Sequence, residues 1–408
     1  MRSSVRSSAL FVLLLAALLP ARAQVDVVFE ADLRAEIAAR RFDVKRDGVS
    51  VRGGLAPLNW GLGLPMKPLG DGRYEARVRF AAPPFGNQPL AHKFRIEKPG
   101  QGGDEGWEAG RNRAALLEGP APLGVRVARL FGAEPPAPPP RITGTVLTVE
   151  PPTGAASPPA RPVWVWLPPG YDAAPARRYP VLYLLDGQNV FDWRSAGSEW
   201  MVDETAQRLV QAGAVQPMII VAVPSGRDRT DELTPTSGRM DGQRRGGGGP
   251  AFARWLLDGL KPAIDARFRT QPETASTAIG GSSFGGLFAL WFALHHADRV
   301  GAALVVSPSV WWDDGFLLRD ASQWTPAPGT QRPRLWLDIG GQEGPGAVPA
   351  VQRLRDTLLA RGWAAGMQLA YTEAPDAGHD ELAWAARVEG MLKFLYPPTH
   401  ENLQEPRR

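Results

Sequence analysis

Gly280-Gly281-Ser282-Ser283-Phe284-Gly285-Gly286 is a Gly-x-Ser-x-Gly turn centred on Ser283, and its reading decides the fold. In such a turn the serine sits on a strained corner between a strand and a helix, so its hydroxyl stands clear of the backbone at the carboxyl edge of a sheet. The flanking glycines follow from crowding: side chains at Gly281 and Gly285 are expected to collide with neighbouring backbone. In a chain with 45 glycines the pattern gains weight only from its flanks. Residues 276–280 are strand-like, and 287–294, Leu-Phe-Ala-Leu-Trp-Phe-Ala-Leu, are apolar on every side and read as a buried helix.

Outward from the turn, apolar runs alternate with helical patterns. The runs are 143–149, 163–167, 181–185, 218–223, 276–280, 302–306, 335–339 and 367–371; the helices are 203–211, 250–268, 287–297, 348–361 and 381–395. This alternation predicts an α/β fold, an eight-stranded mostly parallel sheet covered on both faces. The proline-rich stretch 132–140 reads as a stiff linker. It separates a front domain, 24–131, from the domain holding the turn, 141–398, which a polar tail, 399–408, follows. A second proline-rich patch, 151–162, lies between two strand-like runs and reads as a long hairpin loop. The glycine run 246–249 lacks the Gly-Lys-Ser/Thr end of a phosphate loop and reads as a flexible entry to the helix near Pro250.

A serine hydroxyl attacks a carbonyl only when an imidazole takes its proton and a third group orients that imidazole. The chain has five histidines. His92 falls in the front domain, His295 and His296 near the end of the buried helix, and His400 in the tail. His379 alone lies in a loop between the last strand and the last helix, and is the candidate base. Glu343, on the glycine-rich turn Gly340-Gly341-Gln342-Glu343-Gly344, is the favoured acid, with Asp376 and Asp338 as alternatives. The order Ser, acid, His is that of an α/β-hydrolase. Donors for an oxyanion are expected from the backbone N–H of Phe284 and, in the turn Asp186-Gly187-Gln188-Asn189, from that of Gln188, where Gly187 lets the backbone approach. Trp311 and Trp312, in Ser307-Pro308-Ser309-Val310-Trp311-Trp312-Asp313, are expected to wall the substrate pocket, with Trp200 and Trp193 opposite.

At the amino terminus, Arg2 and Arg6, an apolar run over 9–19 and Ala21-Arg22-Ala23 read as a signal peptide, 1–23, cut before Gln24. No later run reaches the roughly eighteen apolar residues of a membrane span. A secreted or periplasmic location is expected. The chain has no cysteine, which excludes disulfides, a thiol nucleophile and thiolate metal sites. Its formal charge of +4 falls to about +1 without Arg2, Arg6 and Arg22, too little to indicate nucleic acid or an acidic membrane as partner.

With these residues in place, 141–398 resembles the esterase family that contains enterochelin esterases, feruloyl esterases, S-formylglutathione hydrolases and mycolyltransferases. The resemblance is carried by Leu167-Pro168-Pro169-Gly170-Tyr171, the stretch 179–189, Glu232-Leu233-Thr234-Pro235, the serine turn and the Ser-Pro-Ser-Val-Trp-Trp segment. It implies an α/β-hydrolase without cofactor, Ser283 as nucleophile and His379 as base. The Gly-Gly-Gln-Glu turn departs from the family's commoner Gly-Thr-x-Glu/Asp. The front domain resembles starch-binding β-sandwiches through Leu55 to Trp60, His92-Lys93-Phe94 and the stretch 106–113. That resemblance implies a glycan ligand stacked on Trp60 and Trp107 with Lys93 bonding hydroxyls; related hydrolases also carry sandwiches that only cover the active site.

The expected function is that of an exported serine carboxylic ester hydrolase acting on a small-molecule ester, glycan-linked or aromatic in its acyl part. Two rivals differ in observable ways. An acyltransferase with the same triad would pass the acyl group to a sugar hydroxyl, and a glycan-binding protein with a relict hydrolase domain would bind sugar without reacting with a serine-directed phosphonate.

Overall fold

The computed structural model describes residues 24–81, 89–100, 106–109, 112–116, 125–132, 142–151, 161–192, 198–240 and 242–398. The expected signal peptide, nearly all of the linker and the tail lie outside the described residues, as does Trp193. Among the described residues no helix is long and apolar enough to cross a membrane.

The front domain holds β1 (Gln24–Asp32), β2 (Gly48–Gly53), β3 (Leu64–Pro65), β4 (Lys67–Gly70), β5 (Arg73–Ala81), β6 (Pro89–Glu97), β7 (Arg113–Leu116) and β8 (Val125–Leu130). They form two four-stranded sheets, β4-β5-β1-β8 and β3-β2-β6-β7. Alternate residues of both sheets, Val27, Phe29 and Val78 from one and Val49, Val51, Phe94 and Ile96 from the other, meet in a single core, which makes the pair a sandwich. The outward positions of β2 and β6 carry Ser50, Arg52, Lys93, Arg95 and Glu97.

The second domain is built on β9 (Thr145–Val149), β10 (Val163–Leu167), β11 (Val181–Leu185), β12 (Ile219–Val223), β15 (Thr277–Ser282), β16 (Ala302–Val306), β17 (Arg334–Gly340) and β18 (Leu369–Ala374), with a hairpin, β13 (Ser237–Met240) and β14 (Gln243–Gly246), outside the sheet. Their order is β18-β17-β16-β15-β11-β12-β10-β9. β10 runs antiparallel to both neighbours, and β12, β11 and β15 to β18 are parallel, so the loops leaving those six strands gather on one edge. The expected eight strands are all present.

Both faces of the sheet are covered. Val181, Tyr183 and Leu185 point into one apolar layer and Leu182 and Leu184 into the other, which is why β11 reads as a continuous apolar run. The helix Phe284–His295 is buried from Phe284 to Leu294, as a helix apolar on all sides must be. Two expected helices are interrupted. The one entered at Gly249 contains a wider π turn, Trp255–Leu260, and the last is divided into Glu381–Ala385 and Val388–Leu395.

Candidate active site

The corner after β15 places Ser283 at φ 59 and ψ −119, a conformation that costs a residue with a Cβ free energy and is held by its surroundings. The Ser283 N–H donates to the Val306 carbonyl at 3.0 Å, and the Ser309 N–H donates to the Ser283 carbonyl at 3.1 Å. A Cβ on Gly281 would lie 2.9 Å from the Gly285 backbone, as the sequence suggested. The second forced glycine is Gly286, whose Cβ would lie 2.7 Å from the Val306 carbonyl oxygen; at Gly285 the closest approach is 3.4 Å, to an Asp186 carboxylate oxygen.

His379 follows β18 and Glu343 follows β17, and their side chains meet: Nδ1 of His379 is 2.7 Å from Oε2 of Glu343. The other carboxylate oxygen, Oε1, accepts the Gly340 N–H at 2.6 Å and lies 2.5 Å from Ser307 Oγ. The Trp384 ring stands edge-on to the imidazole at 5.2 Å, and 41% of the His379 side chain is exposed. The two alternative acids are elsewhere. Asp376 is exposed, and Asp338 is buried inside β17, where it accepts from Trp336 Nε1 and faces Arg387 Nε at 3.2 Å. His295 pairs with Asp320 at 2.9 Å, His92 is buried in the sandwich, and His400 lies outside the described residues. Ser283 Oγ lies 3.3 Å from Ser309 Oγ and makes no hydrogen bond to His379. Such contacts commonly tighten only when substrate is bound.

The N–H groups of Phe284 and Gln188 have no acceptor among the described residues. The Gln188 side chain is fastened to Ser225 by two hydrogen bonds of 3.1 Å, which fixes its backbone. Gly187 is required there, since a Cβ would lie 2.5 Å from backbone atoms of Ala222 and Val223. One residue at this edge was missed from sequence. Arg229 donates from Nε and Nη2 to the two oxygens of buried Asp186, both at 2.7 Å, and from Nη2 to the Ser282 carbonyl at 3.4 Å. Its guanidinium lies 5.6 Å from the centre of the Phe284 ring. It therefore ties the Asp186 loop to the serine corner and brings positive charge beside it. The available signal was Asp186 itself: a carboxylate directly after a buried strand needs a cation.

The aromatic candidates separate by burial. Trp311 is 59% exposed and lies 5.7 Å from the Phe284 ring. Trp312 and Trp200 do not fit the expectation of a pocket wall. Trp312 is fully buried, with Nε1 bonded to the Thr236 carbonyl and its ring edge-on to Phe284. Trp200 is 3% exposed and packs against Trp384, so it backs the histidine's neighbour instead of facing a ligand.

In the front domain Trp60 and Trp107 are half-buried neighbours, 6.3 Å apart with their rings inclined at 51°. Guanidinium groups of Arg52 and Arg95 lie 5.2 and 5.8 Å from the Trp107 ring centre, and Lys93 is half-buried opposite Arg52. At the end of β2, a Cβ on Gly54 would be 3.3 Å from Trp60 Nε1 and 3.9 Å from Asp380. Gly54 thus lies between Trp60 of the sandwich and the residue that follows His379. Among the described residues no group of three or more His, Asp or Glu is arranged to hold a metal ion.

Comparison with known proteins gives concordant results. A family model described as "Putative esterase" matches residues 156–395. The ferri-bacillibactin esterase BesA of Bacillus subtilis is 31% identical over 160 residues, 36% of this chain and 53% of that protein. The iron(III) enterobactin esterase of Dickeya dadantii is 27% identical over 255 residues, 58% of this chain and 51% of that protein. Each match spans about half the relative's length. The crystal structure of enterochelin esterase from Shigella flexneri superposes with a TM-score of 0.59 at 18% identity, covering 88% of both chains, which shows a shared fold.

Proposed function

From a chain that belongs to the esterase family, we propose a serine carboxylic ester hydrolase working through a Ser283, His379 and Glu343 triad. The observation that carries this reading is the 2.7 Å contact between Glu343 and His379 Nδ1, made on the same sheet edge as the Ser283 corner.

Glu343 holds the proton of His379 on Nδ1 and leaves Nε2 as the base. Nε2 takes the Ser283 proton as Oγ bonds to the ester carbonyl carbon. The carbonyl oxygen, now an oxyanion, is held by the Phe284 and Gln188 N–H groups, each worth about 3 kcal/mol, with Arg229 adding positive charge behind the serine corner. Collapse expels the alcohol, which leaves with the proton from Nε2, and an acyl-enzyme remains. A water then gives its proton to Nε2 and attacks the acyl carbon; collapse returns the proton to Ser283 Oγ and releases the acid.

The proposed substrates are aromatic or glycan-linked acyl esters, for which the exposed Trp311 offers a flat apolar surface. The names of the relatives add ferri-bacillibactin and iron(III) enterobactin to the first panel. The Trp60 and Trp107 pair is proposed to hold a sugar ring, with Lys93 on its hydroxyls. Export with cleavage before Gln24 belongs to the same reading.

The test is intact-mass analysis after fluorophosphonate treatment. A single adduct on the wild type, absent from Ser283→Ala together with all ester turnover, is the expected result. An unmodified wild type, or a Ser283→Ala protein that still hydrolyses short esters, would overturn the assignment.

A further inference from the structure

We propose that Ser307 is a positioning residue for Glu343, a role that rests on the triad reading above. Ser307 directly follows β16, is 1% exposed, and adopts φ 42, a conformation that residues with a Cβ rarely take. Its N–H lies 3.1 Å from both the carbonyl oxygen and Oδ1 of Asp338. Its hydroxyl meets three groups: Nε1 of Trp384 at 3.0 Å, Nη2 of Arg387 at 3.0 Å and Oε1 of Glu343 at 2.5 Å.

A hydroxyl has one proton to give and two lone pairs to accept with. The indole and guanidinium groups can only donate, so they take both lone pairs, and the one proton of Ser307 goes to Glu343. Rotation of the hydroxyl is thereby fixed by its partners. Glu343 Oε1, receiving this proton and the Gly340 N–H, is saturated, and Oε2 is left to the imidazole. Arg387 is itself held by Asp338, so the buried chain Asp338, Arg387, Ser307, Glu343 ends on His379. Trp384 joins it at two points, through its N–H to Ser307 and through its ring edge against His379. Ser307 touches neither substrate nor reacting atoms; it acts by aiming the carboxylate.

The test compares Ser307→Ala with Ser307→Gly, in the wild type and in Glu343→Gln. Both changes delete the hydroxyl, but glycine also relieves the positive φ, so the Gly variant is expected to melt higher than the Ala variant. Both are expected to lower kcat about tenfold with KM within about twofold, since a hydrogen bond to a charged group is lost. In the Glu343→Gln background the same changes are expected to alter kcat less than about twofold. Activity that recovers in the Gly variant along with stability, or a loss of equal size without the carboxylate, would overturn the role.

A readout independent of turnover is the low-field proton resonance of His379 Nδ1–H, which is expected to shift or broaden in both variants. An unmoved resonance also overturns the proposal. A wild type that hydrolyses nothing, yet shows the shift in both variants, would refute the esterase reading and leave the positioning intact.

Discussion

Glu343→Gln probes the triad most sharply, because the structure dictates how the new amide must sit. Two donors, the Ser307 hydroxyl and the Gly340 N–H, converge on Oε1. A glutamine there must turn its carbonyl oxygen toward them, and its NH2 then faces Nδ1 of His379. Nδ1 is forced to accept, the ring proton moves to Nε2, and Nε2 can no longer take the Ser283 proton. The corresponding loss in a Ser-His-Asp triad is about 10⁴ in kcat, so a fall of about 10³ to 10⁴, on the order of 4 to 5 kcal/mol, is expected here. Stability should change by less than about 1 kcal/mol, because both donors keep an acceptor. Steady-state hydrolysis of p-nitrophenyl butyrate measures kcat and KM, urea unfolding the stability. A Gln variant within tenfold of wild type, or a thousandfold loss in folded Asp376→Asn instead, would refute the assignment of Glu343.

Further expectations follow from burial. Trp311→Ala should raise KM for aryl esters several-fold without lowering the melting temperature, whereas Trp312→Ala should destabilise the fold by about 3 to 5 kcal/mol; equal effects on KM would contradict the burial argument. Burial lifts the Asp380 carboxyl from 3.8 to about 6, and its acceptance of the Ala383 N–H opposes the lift. A carboxyl raised in the folded state costs nothing below about pH 4, and its cost enters as pH rises toward 6. Asp380→Asn, which keeps the helix cap, should therefore match wild type in urea at pH 4 and exceed it at pH 8 by on the order of 2 to 3 kcal/mol; a difference independent of pH would refute this. Retardation of the wild type in amylose-containing native gels is expected to disappear in Trp60→Ala and in Trp107→Ala; unretarded wild type would remove the glycan proposal.

The sheet was legible because its inner strands, β10 to β12 and β15 to β17, are buried on both faces and read as continuous apolar runs, and the Ser-acid-His order follows from where strands end. Glu343 was legible as a carboxylate on a glycine turn and as a candidate partner of His379, but the groups that hold its other oxygen were not. Ser307 reaches it from the end of another strand, Trp384 and Arg387 reach Ser307 from the last helices, and pairing across such separations leaves no local pattern. The misreading of Trp312 has a specific origin in the hairpin β13-β14, which has no counterpart among the expected strands; only its last residue, Gly246, falls in the glycine run that reads as a flexible entry to a helix. Cβ atoms on Gly238 and Gly246 would lie 2.8 and 2.7 Å from the Trp312 ring. Those glycines make the hairpin thin enough to cover the indole. Once the hairpin is recognised, the second tryptophan of the pair must be core and the first the exposed one.

Three consecutive corners of the site, Asp186 after β11, Ser283 after β15 and Ser307 after β16, hold positive φ without being glycine. Positive φ alone marks nothing, since Arg40 and Asp71 show it in exposed turns. What distinguishes the three is that each turns the chain sharply at a strand end and also needs its side chain. Asp186 anchors Arg229, Ser283 presents the hydroxyl, and Ser307 aims Glu343. Glycine would relieve the conformation at every one and abolish the group. Where only backbone is wanted, the chain does use glycine: Gly340 gives its N–H to Glu343, and a Cβ there would lie 2.4 Å from the Ala377 carbonyl oxygen. Strain at this edge therefore falls where a side chain and a sharp turn are required of the same residue, and the sheet beneath, buried on both faces, is what holds those residues in place.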